Sequence, residues 1–189
     1  MLTRKRLFDI VIGLILLLLF IPLLIIISLI IKSTSEGPIL YWSDRVGKKN
    51  KIYKMPKFRT MRVNTPEVAT HLLADPHLYI TTIGSILRKT SLDELPQLIC
   101  LINGDMSLVG PRPALYNQND LIELRTMKGV DQLVPGITGW AQVNGRDELS
   151  IHDKVKFDVE YLSNNSFLFD LKILALTIIK VVSQDHVIY

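Results

Sequence analysis

The 189-residue sequence predicts one α+β domain, mainly helical, with an N-terminal re-entrant membrane helix, a small β-hairpin and interfacial helices. Three observations carry this expectation. An apolar run extends from Ile10 to Ile31, as long as the ~20 residues needed to cross a bilayer. One pair of short β-type stretches flanks Val46-Gly47-Lys48-Lys49-Asn50, and the remaining apolar spacing is helical. The length supports one buried core rather than two, so residues 1–189 are taken as a single unit, with residues 32–189 forming its body.

The apolar run follows Arg4-Lys5-Arg6 and is succeeded by Lys32-Ser33-Thr34-Ser35-Glu36, with no small-residue cleavage site, so it is a retained membrane helix rather than a signal peptide. Bases crowd both flanks: Arg4, Lys5 and Arg6 before it, and Lys32, Arg45, Lys48, Lys49 and Lys51 after it. Positive flanks face the cytoplasm, which a straight crossing cannot satisfy at both ends. Pro22, near the middle, removes a backbone hydrogen bond and bends the helix there, so a helix–break–helix that returns to its own leaflet is expected. The alternative is a kinked helix that still spans.

Ile39-Leu40-Tyr41-Trp42 and Lys51-Ile52-Tyr53-Lys54 read as the two strands of the hairpin. Lys57, Arg59 and Arg62 follow as a basic cluster, which suits phosphate or simply lipid headgroups. Residues 64–79 read as a loop with at most a short helix around Glu67–Leu73, and Thr82 to Arg88 as a short helix ending in bases.

The central stretch is Arg88-Lys89-Thr90-Ser91-Leu92-Asp93-Glu94-Leu95-Pro96-Gln97-Leu98. Proline is tolerated only in the first turn of a helix, so Pro96 places the helix start at Asp93 or Glu94, in preference to Ser91. Both carboxylates then sit at the positive end of a helix dipole, where phosphate also binds. Two readings stand: ordinary helix-start acids, or a nucleophile beside a metal ligand.

Asn103-Gly104-Asp105 reads as a helix stop, and Pro111-Arg112-Pro113 holds an arginine whose freedom is restricted before any anion arrives. A rigid linker with an exposed arginine is the plain alternative. Asn117 to Lys128 is a surface helix. The glycine- and amide-rich stretch Pro135 to Arg146 has the composition of loops that cradle phosphate through backbone N–H groups. Ser150 to Leu162 is helical, and Phe167 to Val182 is an interfacial or core helix, too short and too charged to span.

Composition excludes several classes. Net charge is +4, which suits anionic lipid or phosphate ligands. Basic residues and the few aromatics are not interleaved, so no nucleic-acid platform is expected. Cys100 is the only cysteine, so no intrachain disulfide forms, and it lies in an apolar run as a buried, inert thiol. The four histidines lack metal-ligand spacing.

Taken together, Lys5-Arg6-Leu7-Phe8-Asp9, Lys57-Phe58-Arg59-Thr60-Met61, Arg88 to Gln97, Gly104 to Pro113, Pro135 to Arg146 and Phe169-Asp170-Leu171-Lys172-Ile173 resemble, in order, the bacterial sugar transferases that are monotopic phosphoglycosyl transferases. The matches cover nearly the whole chain, which is expected to be close to the bare catalytic unit. The resemblance implies transfer of a phospho-sugar from a UDP-sugar to undecaprenyl (polyprenol) phosphate with release of UMP. This would be the first membrane step of glycan assembly, on the cytoplasmic face of the bacterial inner membrane. It implies Asp93 as the nucleophile of a ping-pong mechanism through a covalent aspartyl phospho-sugar, and Glu94 as a Mg²⁺ ligand. Lys57, Arg59, Arg88, Arg112 and Arg146 are the candidate phosphate-binding residues, and Pro22 the membrane break.

These residue types suit that chemistry. A carboxylate attacks phosphorus without a separate base, Mg²⁺ binds through one or two carboxylates plus phosphate oxygens, and arginines orient phosphoryl groups. Two features depart from the family pattern: Ile21 stands where a serine commonly precedes the helix proline, and Met55-Pro56 is inserted before Lys57-Phe58. The rivals are a bitopic membrane protein with a non-catalytic lipid- or partner-binding body, and a Mg²⁺ phosphatase using an aspartyl phosphate.

Overall fold

The computed structural model of the chain describes residues 3–65, 75, 78–145 and 148–183. Helix α1 runs over Arg4–Thr34, opened by the Thr3 hydroxyl, which accepts from the Arg6 N–H at 3.2 Å. It is apolar all round and includes Pro22 within its length. Its midsection is exposed, with Leu18 and Leu19 more than two-thirds accessible, while both ends are docked.

The N-terminal docking uses the charges of the first resemblance motif. The Lys5 ammonium donates to the Val109 carbonyl (3.0 Å), the Tyr161 hydroxyl (2.8 Å) and Asp170 Oδ2 (2.7 Å). Tyr161 in turn donates to Asp170 Oδ1 at 2.6 Å. Arg6 donates to the carbonyls of Leu101 and Ile102, acceptors that a helix end leaves over. Asp9, buried, accepts from the Ser107 hydroxyl and the Leu108 N–H. At the other end, Ile27 and Ile31 are buried with Phe58 and Leu87.

Strands β1 (Leu40–Val46) and β2 (Ile52–Phe58) pair antiparallel, from Leu40 opposite Phe58 to Val46 opposite Ile52. Both are longer than the sequence reading. Met55 and Pro56 extend β2 instead of interrupting it, opposite Ser43 and Trp42. An insertion of two residues keeps the side-chain alternation, and a two-stranded sheet lets a proline face its open edge.

Helix α2 (Thr82–Lys89) is capped by Thr81 and ends where expected. The central stretch departs from expectation. Leu92–Gln97 forms a 3₁₀ turn entered from Ser91, and the α-helix α3 (Leu98–Asn103) starts only after Pro96. The cap is therefore not Asp93 or Glu94. A 3₁₀ segment ahead of the α-helix takes up the proline, so Ser91 can open the turn without burying Pro96 in an α-helix. The carboxylates precede α3 by more than a turn, and the expected dipole contribution at them does not apply.

Gly104, with φ of 96°, ends α3. Strand β3 (Ser107–Val109) pairs parallel with β4 (Gly136–Thr138). Here the glycines have a packing reason. A Cβ on Gly110 would lie 2.3 Å from the Val134 carbonyl oxygen, and one on Gly136 would lie 2.1 Å from the Gly110 nitrogen. The Gly136 N–H is bound by the Pro111 carbonyl and the Gly110 N–H by that of Thr138, both at 2.9 Å. Gly136, from the expected cradle, and Gly110 thus close two backbones together, and both amides are occupied.

Helices α4 (Asn119–Met127), α5 (Trp140–Val143), α6 (Ile151–Ser163) and α7 (Phe167–Ser183) complete the body. The face of α6 carrying Val155, Asp158 and Tyr161 is buried. Helix α7 buries Asp170 and Ile173 while Leu168, Leu171, Ile178 and Ile179 stay exposed, so it is both a core helix and an apolar surface. The main core joins Leu98, Leu101, Leu108, Val109, Val143, Tyr161 and Ile173, and Phe8, Ile12, Leu16 and Leu17 of α1 pack against it. Cys100 is buried, and burial pushes its thiol up to about 11.

Candidate active site

The site forms where the hairpin, the 3₁₀ turn and the segment after β3 converge. Ser91 adopts a left-handed conformation (φ 54°), which costs about 1 kcal/mol or more for a non-glycine residue. Its N–H donates to the Arg88 carbonyl and its own carbonyl accepts from the Glu94 N–H. Two tight turns in succession thus bring Arg88 and the adjacent carboxylates into one place.

Asp93 is 8% exposed, and burial raises its carboxyl above the ordinary carboxylate range. Lys57 opposes that rise most strongly, Glu94 adds to it, and Arg88 opposes it less. A poorly solvated carboxylate is a more reactive nucleophile than a solvated one, and the cations beside it favour its ionised form. The Arg88 Nε donates to the Thr60 hydroxyl at 2.9 Å, which fixes the direction of its side chain.

Glu94 is the common partner of two cations. Lys57 Nζ lies 2.7 Å from Glu94 Oε1, and Arg112 Nη2 lies 3.4 Å from the same oxygen. Lys57 reaches it because the strand register puts Tyr41, Ser43 and Arg45 on one hairpin face with Lys57, Met55 and Tyr53. Arg112 is held through its backbone. The Pro111 carbonyl accepts from the Gly136 N–H, that of Arg112 from Arg125 Nη1 at 2.8 Å, and that of Pro113 from Arg45 Nη1 at 3.2 Å. The Ala114 carbonyl accepts from the Val46 N–H at 3.0 Å. Four successive carbonyls are bonded, so the backbone carrying Arg112 is rigid, and its half-buried side chain reaches Glu94 instead of standing exposed as in the plain linker alternative.

Arg125 is itself fixed by Asp158, which is 1% exposed and receives both Nε (2.9 Å) and Nη2 (2.7 Å) at Oδ2. Burial raises the Asp158 carboxyl and Arg125 opposes the rise.

Of the sequence candidates, Asp93, Glu94, Lys57, Arg88 and Arg112 are therefore gathered. Arg59 is not among them. It is 6% exposed and donates to the Ser35 carbonyl (3.0 Å), the Ser35 hydroxyl (2.7 Å) and the Glu36 carbonyl, so it fastens the chain leaving α1. β2 ends at Phe58, and Arg59 turns away from the face that carries Lys57. Arg146, like the expected short helix around Glu67–Leu73, lies outside the described residues. Sequence reasoning missed Arg45, Arg125 and Asp158. The signal available for Arg45 was the parity it shares with Ser43 on β1, and it needed the register.

Among the described residues there is no group of three or more His, Cys, Asp or Glu placed to cage a metal. The donor set is Glu94 with Asp93 beside it. That fits a hard divalent ion that takes its other ligands from water and phosphate oxygens, as Mg²⁺ does.

Known proteins resemble this chain over most of its length. The family model described as bacterial sugar transferase matches residues 1–184. The chain is 43% identical over 187 residues to the UDP-glucose:undecaprenyl-phosphate glucose-1-phosphate transferase of Escherichia coli K12, covering 93% of this chain and 39% of that protein. It is 39% identical to the uncharacterized sugar transferase EpsL of Bacillus subtilis, covering 97% of this chain and 89% of that one. It is 40% identical to the undecaprenyl-phosphate galactose phosphotransferase of Salmonella typhimurium LT2, covering 96% and 41%. The chain thus spans about two-fifths of two of these relatives and most of the third.

Proposed function

The chain belongs to the bacterial sugar transferase family, and on that premise we propose that it transfers a phospho-sugar from a UDP-sugar to undecaprenyl phosphate, releasing UMP. The observation that carries this reading is a buried carboxylate, Asp93, facing the charges of Lys57 and Arg88, beside Glu94, which Lys57 and Arg112 contact. Lys57, Arg88 and Arg112 converge on this pair of carboxylates, an arrangement that suits an anionic substrate such as a diphosphate. A non-catalytic lipid-binding body would not need a buried aspartate held among them.

In the first step an Asp93 oxygen attacks the sugar-bearing phosphorus of the donor. An O–P bond forms, the bridging P–O bond breaks, and its electron pair leaves with UMP. Lys57, Arg88 and Arg112 hold the phosphoryl oxygens in line and offset the charge that moves to the leaving group. In the second step a phosphate oxygen of the lipid attacks the same phosphorus, and the Asp93 carboxylate departs. Glu94 would hold Mg²⁺, which when bound supplies further neutralisation of phosphate charge. The relatives' names make UDP-glucose and UDP-galactose the first donors to try.

The proposal places α1 as a re-entrant helix in the cytoplasmic membrane, with the body on the cytoplasmic face. Supporting it, Lys5, Arg6 and Asp9 at one end of α1, and Ile27 and Ile31 near the other, dock on a single body. A straight crossing separates the two helix ends by about 30 Å of hydrocarbon. A nucleotide sugar is water-soluble and the lipid phosphate lies at the headgroup plane, so a body held there meets both.

The test is a UDP-sugar panel with Mg²⁺ and undecaprenyl phosphate, monitored for UMP. Release with a UDP-sugar, and lipid product only with the lipid phosphate, is expected. Release of inorganic phosphate from simple phosphomonoesters instead would indicate a phosphatase. For topology, single cysteines at Thr3 and Ser33 in a Cys100→Ser background should react with an impermeant maleimide only after permeabilisation. Labelling of the Thr3 position on intact cells would refute the re-entrant arrangement.

A further inference from the structure

Arg45 has no part in the mechanism above, yet it is built into the same place. It stands on β1 opposite Tyr53, on the hairpin face that carries Lys57. Its Nε donates to the Ser43 hydroxyl at 3.1 Å and its Nη1 to the Pro113 carbonyl at 3.2 Å, one residue from Arg112. The side chain is therefore tethered at two points and placed beside a second arginine.

The tethers are neutral acceptors, and they fix a guanidinium without neutralising it. After burial, the charge of Arg112 is what most disfavours the Arg45 cation; together they pull its pKa down to about 10. The carboxylate that favours it is Glu94, which Lys57 and Arg112 already contact. Two half-buried arginines whose charges repel, one of them tethered only to neutral oxygens, form an arrangement that an arriving anion stabilises. Planar guanidinium groups in a pair match the oxygens of one phosphoryl group.

We propose that Arg45 is a further phosphate-binding residue, acting with Arg112 as a two-arginine fork on one phosphoryl group of a substrate. The identity of that phosphate rests on the phospho-sugar transfer reading above; the fork itself does not. The phosphate belongs either to the nucleotide diphosphate or to the lipid monophosphate, and ping-pong kinetics separate the two.

The experiment uses the full chain in nanodiscs with Arg45→Gln and Arg45→Lys. Inorganic pyrophosphate and UDP binding are measured by calorimetry, and kcat/KM is measured separately for the UDP-sugar and for undecaprenyl phosphate. Arg45→Gln should lose about tenfold or more, with Arg45→Lys intermediate and Tm unchanged in both. Loss in the UDP-sugar arm and in pyrophosphate binding assigns the donor phosphate; loss confined to the lipid arm assigns the acceptor. Binding and both kcat/KM values within about twofold of the parent would overturn the proposal. So would losses that follow a lowered Tm in both variants, since Arg45 would then be only a tie between β1 and Pro113. If the parent transfers no phospho-sugar from any donor, the functional reading fails, while pyrophosphate binding still tests the fork.

Discussion

Replacing Lys5 by methionine tests whether the start of α1 is held by charge or only by apolar contact. The ammonium has three partners within 3.0 Å, and the Asp170 side chain it pairs with is 6% exposed against 32% for Lys5. Removing one partner of a buried pair costs about 3–5 kcal/mol, and the partial exposure of Lys5 reduces this to about 2 kcal/mol. Lys5→Met should then lower Tm by roughly 4–8 °C in a chain of this size. Asp170→Leu should also destabilise, because Lys5 loses its anionic partner and Tyr161 keeps only its longer bond to the Val109 carbonyl, at 3.2 Å. The double variant leaves neither an orphaned carboxylate nor an orphaned ammonium, so it should fall short of the sum by more than about 1 kcal/mol. Tryptophan fluorescence during thermal unfolding in nanodiscs reads all three. Single effects that add to within about 0.5 kcal/mol would show that the pair does not act as a unit.

Further outcomes follow from the site. Asp93→Asn should reduce transfer by several orders of magnitude while UDP binding persists; near-parental turnover would remove Asp93 from the nucleophile's role. Burial raises the Asp93 carboxyl above its ordinary 3.8, and attack needs the carboxylate, so activity should be gained as pH rises through a value above that of a solvated aspartate. Lys57→Met removes the main opposing cation and should move this acid limb of kcat/KM to still higher pH; an unmoved limb would mean another group sets it. Glu94→Gln should raise the Mg²⁺ concentration needed for activity, and full parental activity in EDTA would end the metal assignment. Arg112→Lys should lose activity because a point charge cannot replace a fork, and parental kinetics would return Arg112 to a linker role.

The parts legible in the sequence were those with local causes. Gly104 marked the end of α3, Ser150 the start of α6, and the proline flanks of Arg112 its rigidity. What could not be read depended on distant partners. Lys57 and Arg59 are two residues apart, but one reaches Glu94 and the other Ser35, because the strand ends between them. Arg45 joins the site only through the pairing register, and Arg125 only because α6 places Asp158 behind it. The start of the central helix lies later than its acids suggest because Pro96 is taken up by a 3₁₀ turn ahead of the α-helix, which residue types alone do not signal. The glycines of the 135–146 stretch had two uses open to them, and close backbone packing took Gly136.

The tie between Lys5 and Asp170 spans 165 residues of chain. A ribosome adding about 5–20 residues per second makes Asp170 roughly 8–30 s after Lys5. During that interval α1 has neither its polar partners in α6 and α7 nor the core that receives Phe8 and Ile12. Lipid is the available shelter for so apolar a segment, and membrane entry therefore comes before the body can close on it. Synthesis of α7 then completes the docking of α1, so a nascent chain halted before Phe167 should be protease-sensitive at the membrane surface even with its hairpin already made.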